Sequence, residues 1–426
     1  MLLLFMFLAM VAMICLHMPI AIALAIAGII GIVATDGAQA LVNVGLDMYT
    51  GATNFSLIAI PMFVLAGAIM NATGITRRLI AFVSAIVGAV HGGLSMVTVG
   101  VSMFFAEISG SAVADVAAIG SILIPEMKKR GYPAPFAAAV TSSAASLAII
   151  IPPSIPMILY AVAAGTSVEQ LFVAGFIPGI IGGFGLMSVA YVMARRYNLP
   201  LEEAFSLGRL KRTFIDAAPT FMIPVIILGG IFGGLVTATE AAGLAVLAAI
   251  LVGLYYREVD LRELKAAMLD GGMQTAVVML LVASSVLMGN YLTTAKVPQH
   301  LATSMLELTH NKYLILFILN IFFLILGFFL HSSAAIILVV PIVAPLITAA
   351  GIDPVHFGLV VTLNLAIGQQ TPPVASVLIT ACSIAKTGIW EVTKVNIYFI
   401  AVLLVVLFIC TYVPAVPMFL VDVFYR

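Results

Sequence analysis

The sequence predicts an all-α polytopic membrane protein, and both its composition and the length of its apolar runs support this fold class. Of its 426 residues, 63% are hydrophobic and only 8% are charged, whereas soluble domains carry about 25% charged residues. A soluble protein of this size could not cover its surface with so few charges. The apolar residues form continuous runs that suit membrane helices of about 20 residues, not the alternating pattern of a β-barrel.

The charge balance and the polar residues exclude several classes of function. The 18 Lys and Arg residues equal the 18 Asp and Glu residues in number, so the chain lacks the basic surface of a nucleic-acid-binding protein. Its three cysteines lie inside apolar runs and predict neither a disulfide framework nor a zinc site. The motifs of metalloproteases, serine hydrolases and P-loop nucleotide sites do not occur. We therefore expect no enzymatic activity, no cofactor, no transition metal and no nucleic-acid partner.

Eight apolar runs are predicted to cross the membrane as uninterrupted helices. The first is expected to be a retained span because it lacks the basic start and the small-residue cleavage site of a signal peptide. The eight spans lie near residues 2–33, 57–71, 77–90, 171–194, 215–233, 238–256, 274–291 and 395–420.

Two longer apolar segments are predicted to be re-entrant helical hairpins. Segments 94–127 and 313–349 each exceed the length of one span, and each has a polar interruption near its middle. The interruption is Ser-Gly-Ser at 109–111 in the first segment and His-Ser-Ser at 331–333 in the second. Small and polar residues in the middle of an apolar segment favour a turn there rather than a continuous helix.

Each hairpin is followed by a helix that proline is predicted to break. Proline pairs interrupt the apolar segments 136–164 and 356–385 at residues 152–153 and 372–373, and proline removes a backbone donor from a helix. In both copies a glycine lies 21 residues before the proline pair. The same landmarks in the same order indicate an internal repeat of one hairpin and one broken helix.

Positive charges predict how these segments are oriented, because cytoplasmic loops are enriched in Lys and Arg. The loops 195–212 and 257–265 carry five and three basic residues, and counting spans from them inverts the two copies relative to each other. Arg77 and Arg78 are the exception, since this topology places them on the non-cytoplasmic side. The predicted organisation is scaffold helices in 1–76, a first repeat in 77–170, central scaffold helices in 171–273, an inverted second repeat in 274–394 and a C-terminal helix in 395–426.

Inverted repeats with broken helices are typical of secondary transporters, whose sites lie near the bilayer midplane. An unpaired backbone group at membrane depth costs several kcal/mol, so irregular backbone is expected only where it is buried in protein or lines a polar cavity. Freed carbonyls and hydroxyls suit Na⁺, and helix N-termini suit an anionic group. Because the chain has no nucleotide-binding motif, uphill transport would use an ion gradient.

Individual residues of these segments also allow a purely structural interpretation. A serine at a hairpin tip can satisfy a carbonyl of its own helix, and Glu107 and Asp115 can pair locally instead of contacting an ion or a substrate. Glu240 follows Thr237 at the start of a span, where a carboxylate is expected to cap the helix N-terminus. His331 is the one histidine predicted at a functional position inside the membrane.

Several motifs resemble the large membrane subunit of tripartite ATP-independent periplasmic (TRAP) transporters over nearly the whole chain. The resemblance implies an elevator-type, Na⁺-coupled carrier in the bacterial inner membrane. It also implies a small four-helix membrane subunit and a periplasmic binding protein as partners, and a small organic acid as substrate, with sialic acid preferred over C4-dicarboxylates. The motifs are SGSAVADVAAIGSILIPEMKKRGY at 109–132, IIPPS at 150–154, IPMFVLAGAIM at 60–70, TATEAA at 237–242, GIDPVHFG at 351–358 and IGQQTPP at 367–373.

The resemblance also assigns site residues by position. His331 stands where the family often has an acidic residue, and Ala375 stands where it has a glycine. The first ion site would involve Ser109, Gly110, Ser111, Ile151, Pro152, Pro153 and Ser154. The second would involve Ser332, Ser333, Gly368, Gln370, Thr371 and Pro372. Substrate contacts would come from Ser111, Asp115, Ser154, His331, Gln369 and Gln370.

Three other classes of membrane protein remain as alternatives. One is a single-chain, ion-coupled anion transporter of the same superfamily. Another is an ion channel, for which rings of charge or a carbonyl filter would be expected from subunit symmetry. An intramembrane enzyme would need a paired nucleophile and base, and the sequence offers no such pair.

Overall fold

The computed structural model describes residues 2–16, 18–201, 205–258 and 261–425, and this part of the chain is almost entirely helical. In chain order the first helices are α1 (Leu2–Cys15), α2 (Ile20–Asp36), α3 (Leu41–Ala52), α4 (Ala59–Ala72), α5 (Ile75–Val87), α6 (Gly93–Ser109), α7 (Ala112–Asp115), α8 (Ser121–Lys129), α9 (Ala134–Ala145), α10 (Leu147–Ile150), α11 (Ile155–Ala164) and α12 (Val168–Arg196).

The remaining helices follow in the second half of the chain. They are α13 (Leu207–Ala217), α14 (Met222–Phe232), α15 (Ala238–Tyr256), α16 (Leu261–Thr294), α17 (Val297–Leu308), α18 (Lys312–Phe329), α19 (Ser332–Ala349), α20 (Pro354–Gly368), α21 (Ser376–Ala385), α22 (Ile389–Tyr412) and α23 (Ala415–Tyr425). Short 3₁₀ turns at Ala38–Ala40 and Phe55–Ile58 and a π-helical stretch at Val116–Gly120 complete the described elements.

The length and hydropathy of these helices confirm the polytopic all-α class. Within the described residues, eight helical segments are long and apolar enough to cross a membrane, and α13 with α14, bent by 68°, makes a ninth if counted as one span. The eight are Phe55–Ala72, Ala134–Ala164, Val168–Arg196, Ala238–Tyr256, Leu264–Thr294, Lys312–Phe329, Ser332–Ala349 and Ile389–Tyr412.

The start of α15 shows how local sequence fixes a helix end. The Thr237 hydroxyl accepts a hydrogen bond from the Glu240 amide, and the Glu240 carboxylate accepts one from the Thr237 amide at 2.8 Å. This reciprocal pair is a capping box, which satisfies two amides that have no partner inside the helix. The capping role predicted for Glu240 is therefore confirmed.

The first apolar run, predicted as one span over 2–33, is two helices. α2 begins after Pro19, which has no N–H to continue a helix from α1. α1 folds back on α2 so closely that a Cβ at Gly31 would lie 2.6 Å from the Met6 Cε atom. The prediction was wrong because hydropathy measures apolar length and does not register a reversal of direction.

α5 also differs from the sequence-based prediction, because it does not cross the membrane. Near its start, the Arg78 guanidinium pairs with Glu258 at 2.7 Å and lies 3.6 Å from Asp216. Beyond its end, the Gly92 amide donates to the Pro200 carbonyl at 3.2 Å. Both ends of α5 therefore contact the loops that the charge pattern predicts to be cytoplasmic.

The physical reason is the length and amphipathic character of this segment. The helix has 13 residues and is therefore about 20 Å long, which is short of a hydrocarbon core of about 30 Å. One face is buried while Arg77 is exposed, as in a helix that lies in the membrane interface. The correction also removes the exception to the charge rule, since Arg77 and Arg78 join the other basic loops.

The two repeats are interlocked through their broken helices. In the first repeat, α6 and α7–α8 form the hairpin, and α9–α10 and α11 are the two halves of the broken helix. In the second repeat, the corresponding pairs are α18 with α19 and α20 with α21. α11 packs on α19 of the second hairpin, and α21 packs on α7, α8 and Val116–Gly120 of the first. Each repeat therefore completes the other.

The remaining long helices pack largely around this pair of repeats. α16 contacts α2, α3 and α4, and α4 also contacts α15. α22 packs against α9, α12 and α20, which joins the C-terminal helix to both repeats. The boundaries drawn between scaffold and repeats stay a prediction.

Candidate ion and substrate sites

The first break (residues 151–154) separates α10 from α11 and contains a cis Pro152–Pro153 bond. The Ser154 hydroxyl donates to the Ile149 carbonyl at 2.8 Å, which satisfies one carbonyl that the helix has released. Within the described residues, no hydrogen bond reaches the carbonyls of Ile151, Pro152 and Pro153. Neutral oxygen atoms are thus concentrated at this break.

The first tip (residues 109–111) of the hairpin contacts this break directly. Gly110 has a φ of 60°, and its carbonyl accepts a hydrogen bond from the Ile155 amide at 3.3 Å. A Cβ at Gly110 would lie 3.1 Å from both the Ile155 nitrogen and the Pro153 carbonyl oxygen. Glycine is therefore required here by backbone conformation and by close packing. Ser109 ends α6, and its side chain lies outside the described part.

The second break (residues 369–375) has the same plan. It separates α20 from α21 and contains a cis Pro372–Pro373 bond. The Thr371 hydroxyl donates to the Ile367 carbonyl at 2.9 Å, as the structural interpretation of these hydroxyls expects. The carbonyls of Thr371, Pro372 and Pro373 accept no hydrogen bond from the part of the chain that the structure describes.

The end of α18, just before the second tip (residues 330–331), contacts the second broken helix. The Val374 amide donates to the Phe328 carbonyl in the last turn of α18 at 3.1 Å. Gly368 and Gly327 touch backbone to backbone, since a Cβ at Gly368 would lie 2.5 Å from the Gly327 Cα atom. In both copies the hairpin therefore contacts its broken helix close to the break, through the tip in the first and through the last turn of α18 in the second.

A cavity of about 660 Å³ lies between the two tips and the scaffold helices. Ser111, His331, Ser332, Ser333 and Gln369 form its polar wall, and residues of α4 and α16 form the opposite wall. The Ser332 hydroxyl is buried and has no hydrogen-bond partner among the described residues.

The N-termini of α11 and α19 also reach this cavity. Ile155 and Pro156 from the start of α11, and Ser332 and Ser333 from the start of α19, line the same space. Among the described residues no side chain caps either helix N-terminus, and α11 packs against α19. Two helix N-termini are therefore brought together at one wall.

Three of the six predicted substrate residues do not reach the cavity. Asp115, Ser154 and Gln370 are each 0% exposed and do not line it. They do not line the cavity in this conformation, and their role in substrate contact stays a prediction. Spacing along the sequence placed them near the site but did not show which way they face.

A second, larger space borders this cavity. A larger space of about 1210 Å³ shares Val64, Ser111, Ala114, Ala117 and Gln274 with it. The two spaces are therefore neighbours, and Ser111 of the first tip lines both of them.

Basic and acidic residues surround the far end of this larger space. Arg77, Arg78, Asp216 and Glu258 line it. Arg78 donates two hydrogen bonds to Glu258, at 2.7 and 2.9 Å, and its guanidinium carbon lies 3.7 Å from the centre of the Tyr256 ring. The hydrogen bond from Arg78 holds the pKa of the Glu258 carboxyl below its usual value. Arg77 has no ion pair among the described residues.

The sequence analysis missed the scaffold side of the site. Gln274 of α16 lines both spaces, and its position in an apolar span is the kind of signal that indicates function. Arg78 and Glu258 are 180 residues apart in the chain, and no local pattern links them.

The chain is similar to known proteins over most of its length. A family model described as the DctM component of the tripartite ATP-independent periplasmic transporter matches residues 7–416. The isethionate TRAP transporter permease protein DctMQ of Oleidesulfovibrio alaskensis is 40% identical over 406 residues, which are 94% of this chain and 63% of that longer protein.

Two further relatives match over most of their length. The C4-dicarboxylate TRAP transporter large permease protein DctM of Pseudomonas aeruginosa is 39% identical over 377 residues, covering 88% of each chain. The sialic acid TRAP transporter large permease protein SiaM of Vibrio cholerae is 34% identical over 379 residues, covering 89% of each.

A solved structure shares the fold. The crystal structure of the YdaH transporter of Alcanivorax borkumensis superimposes with a TM-score of 0.65 at 13% sequence identity, covering 90% of this chain and 89% of that one. At this identity the likeness concerns the fold alone.

Proposed function

This chain belongs to the DctM-component family of tripartite ATP-independent periplasmic transporters, and from that premise we propose that it is the permease of a Na⁺-coupled importer of a small organic acid. The observation that carries the proposal is the set of released carbonyls at the two breaks, three in each, directly behind the tips that line the cavity. A hard cation is bound in proteins by oxygen ligands of this kind.

The two helix N-termini at the cavity wall support an anionic substrate. A helix N-terminus carries a partial positive charge, and residues at the starts of α11 and α19 line the same space. The Ile155 amide of α11 is bound to the Gly110 carbonyl, so α19 would supply the amide donors. The hydroxyls of Ser332 and Ser333 add neutral donors beside them. In our proposal a carboxylate or sulfonate binds at this wall and the ions bind behind it, so each stabilises the other.

A screen of candidate acids would identify the transported substrate. The relatives are named for isethionate, C4-dicarboxylates, 2,3-diketo-L-gulonate and sialic acid, which share an acidic group and little else. The two most similar of these four are named for the sulfonate and for C4-dicarboxylates, so these acids enter the screen beside sialic acid.

The proposed assembly includes two partners. A small membrane subunit would accompany this chain in the inner membrane, and a periplasmic binding protein would deliver the acid. The repeats would move as one body against α2, α4 and α16, in the manner of an elevator, because the cavity lies between these two groups of helices. A single-chain carrier of the same superfamily is the alternative.

The test is uptake into proteoliposomes that contain this chain with its small subunit. Labelled acids are offered with and without the binding protein, under an inward Na⁺ gradient or with K⁺ in place of Na⁺. We expect uptake only with Na⁺ and the binding protein, and its loss when an ionophore dissipates the Na⁺ gradient. Equal uptake driven by a proton gradient without Na⁺ would contradict the coupling, and uptake without a binding protein would favour the single-chain alternative.

A further inference from the structure

A buried polar cluster lies against the second break and includes residues outside the proposed ion sites. The Ser143 hydroxyl of α9 lies 2.7 Å from the Gln370 side-chain oxygen and 2.7 Å from the Asn396 side-chain oxygen. The Asn396 amide of α22 donates to the Gln370 main-chain carbonyl at 3.0 Å. All three residues are 0% exposed, so bulk water does not reach them.

The hydrogen-bond chemistry of the cluster fixes the orientation of the Gln370 amide. A serine hydroxyl has one proton and cannot donate to two amide oxygens. Turning the amide resolves this conflict at Ser143, because side-chain oxygen and nitrogen positions are assigned from such networks. Gln370 then donates to Ser143, and Ser143 donates to Asn396.

The resulting cluster holds Gln370 at two points. Its side chain is bound by Ser143 and its main-chain carbonyl by Asn396. Gln370 immediately precedes Thr371, Pro372 and Pro373, whose carbonyls are released at the second break. The orientation of this backbone therefore depends on two side chains that lie on other helices.

From this geometry we infer that Ser143 and Asn396 are positioning residues for the second ion site. The inference rests on the proposed Na⁺ coupling. It adds that these two side chains orient the backbone of the second ion site. Ser143 belongs to the broken helix of the first repeat, and Asn396 belongs to the helix that follows both repeats. The second site is thus built partly by the first repeat.

Adjacent serines on α9 provide a matched test. Ser142 is also 0% exposed, but its hydroxyl has no hydrogen-bond partner among the described residues. Ser143→Ala should raise the half-saturating Na⁺ concentration about two- to tenfold, the range of one lost buried hydrogen bond, while uptake at saturating Na⁺ stays close to wild type. Ser142→Ala should leave the half-saturating Na⁺ concentration at the wild-type value. Ser143→Thr keeps the hydroxyl, so its half-saturating Na⁺ concentration should lie close to that of the wild type.

Two substitutions on α22 test the other arm of the cluster. Asn396→Leu removes the bond to Gln370, whereas Thr411→Val removes a 3.1 Å bond between the buried Thr411 hydroxyl and Asn320, away from the break. We expect a raised Na⁺ requirement for Asn396→Leu only. Equal shifts for the two variants would overturn the inference, because they would indicate a general loss of packing in α22.

The closing experiment measures Na⁺ binding without transport. Because a ligand of the folded state raises its unfolding temperature, we compare thermal unfolding of the purified protein in detergent across NaCl concentrations, with KCl keeping ionic strength constant. A wild-type protein with no Na⁺-dependent shift would refute the proposed coupling and this inference with it. If the unfolding temperature rises with Na⁺ in the wild type, and rises at the same Na⁺ concentrations in Ser143→Ala, the positioning role alone would be refuted. A curve displaced to higher Na⁺ for Ser143→Ala, but not for Ser142→Ala, is the expected result.

Discussion

The first break and the second break have the same backbone plan but are held in place by different parts of the chain. At the first, the Ser154 hydroxyl bonds to the Ile149 carbonyl only five residues away. At the second, Gln370 is held by Ser143 and Asn396, which are 227 and 26 residues away. Both breaks thus have a local hydroxyl bond and a contact with their own hairpin, but only at the second do side chains of two other helices also hold the chain. A repeated unit can keep its geometry while the interactions that maintain it diverge.

The largest expected effect comes from removing the proline pairs, which tests whether the two breaks share a role. Replacing Pro152 and Pro153 together by Ala, or Pro372 and Pro373 together by Ala, restores two backbone donors. The helix can then continue through the break and draw the released carbonyls into helical hydrogen bonds. We expect Na⁺-driven uptake to be lost. Because alanine is the best helix former, the unfolding temperature in detergent should stay the same or rise.

A proline outside both breaks provides the control for this comparison. Pro178 lies inside α12, and Pro178→Ala should not alter the Na⁺ requirement. Transport that survives in both double variants would show that the paired prolines take no part in coupling. Survival in one only would assign coupling to the other break.

The next effect concerns the glycines where tips and breaks meet. Gly368→Ala forces backbone apart, since its Cβ would lie 2.5 Å from Gly327, and should lower the free energy of unfolding by about 3 kcal/mol. Gly110→Ala meets its neighbours at 3.1 Å with a φ of 60° and should cost about 1–2 kcal/mol.

Gly229 of α14 is the matched control, because a Cβ there would have nothing within 4 Å. Gly229→Ala should stabilise the helix by up to about 1 kcal/mol. Denaturant unfolding of the three variants measures all of these differences. A larger cost at Gly110 than at Gly368 would reverse the order that we expect.

A smaller effect is expected at Ala375, where the two breaks differ in backbone conformation. Ala375 has a φ of 44°, a region that disfavours a Cβ by about 1–2 kcal/mol and suits the glycine that the family resemblance implies at this position. Ala375→Gly should stabilise the protein by about 0.5 kcal/mol once the added chain entropy of glycine is subtracted.

The control for this substitution is an alanine in a regular part of the same helix. Ala381→Gly, inside α21, should destabilise the protein by about 1 kcal/mol. Opposite signs for the two substitutions, measured by thermal unfolding, would identify backbone strain as the cause. Destabilisation by both would contradict that explanation.

The smallest effect concerns the helices that precede the two hairpins. α5 is tied by Arg78 to Glu258, whereas α17 has no ion pair within the described residues. Because the pKa of Glu258 is lowered in the folded state, its contribution is present above the unfolded pKa and is lost as pH falls through the folded pKa. The side chain is exposed, so this contribution should stay below about 1 kcal/mol.

Unfolding temperatures at several pH values test this expectation. Glu258→Gln should be less stable than wild type at pH 7. The difference should begin to shrink below the unfolded pKa of about 4.3 and vanish once the pH is below the lowered pKa of the folded state. It should also shrink at high salt, which screens exposed charges. A difference that persists at low pH would mean that the side chain acts through packing.

The sequence was sufficient for those parts of the fold that depend on local chemistry. Apolar length predicted the membrane helices, and the Ser-Gly-Ser and Pro-Pro motifs predicted where helices turn or stop. Gly110 and the capping box at Glu240 follow from short-range rules as well.

The parts that the sequence did not reveal depend on direction and on distant contacts. Hydropathy did not show that α1 folds back on α2 or that both ends of α5 face one side. It also did not show that Asp115 points inward or that Ser143 meets Gln370. Each of these facts is settled by packing between segments far apart in the chain.

The interlocking of the repeats also determines when the first break can be completed during synthesis. α11 begins at Ile155, but its partner α19 begins only at Ser332. As domains are made from the N-terminus at a finite rate, the first repeat enters the membrane long before the helix that covers it exists. Until then, its released carbonyls must be satisfied by water, lipid headgroups or the insertion machinery. Maturation of both breaks is therefore a late event that awaits the C-terminal third of the chain.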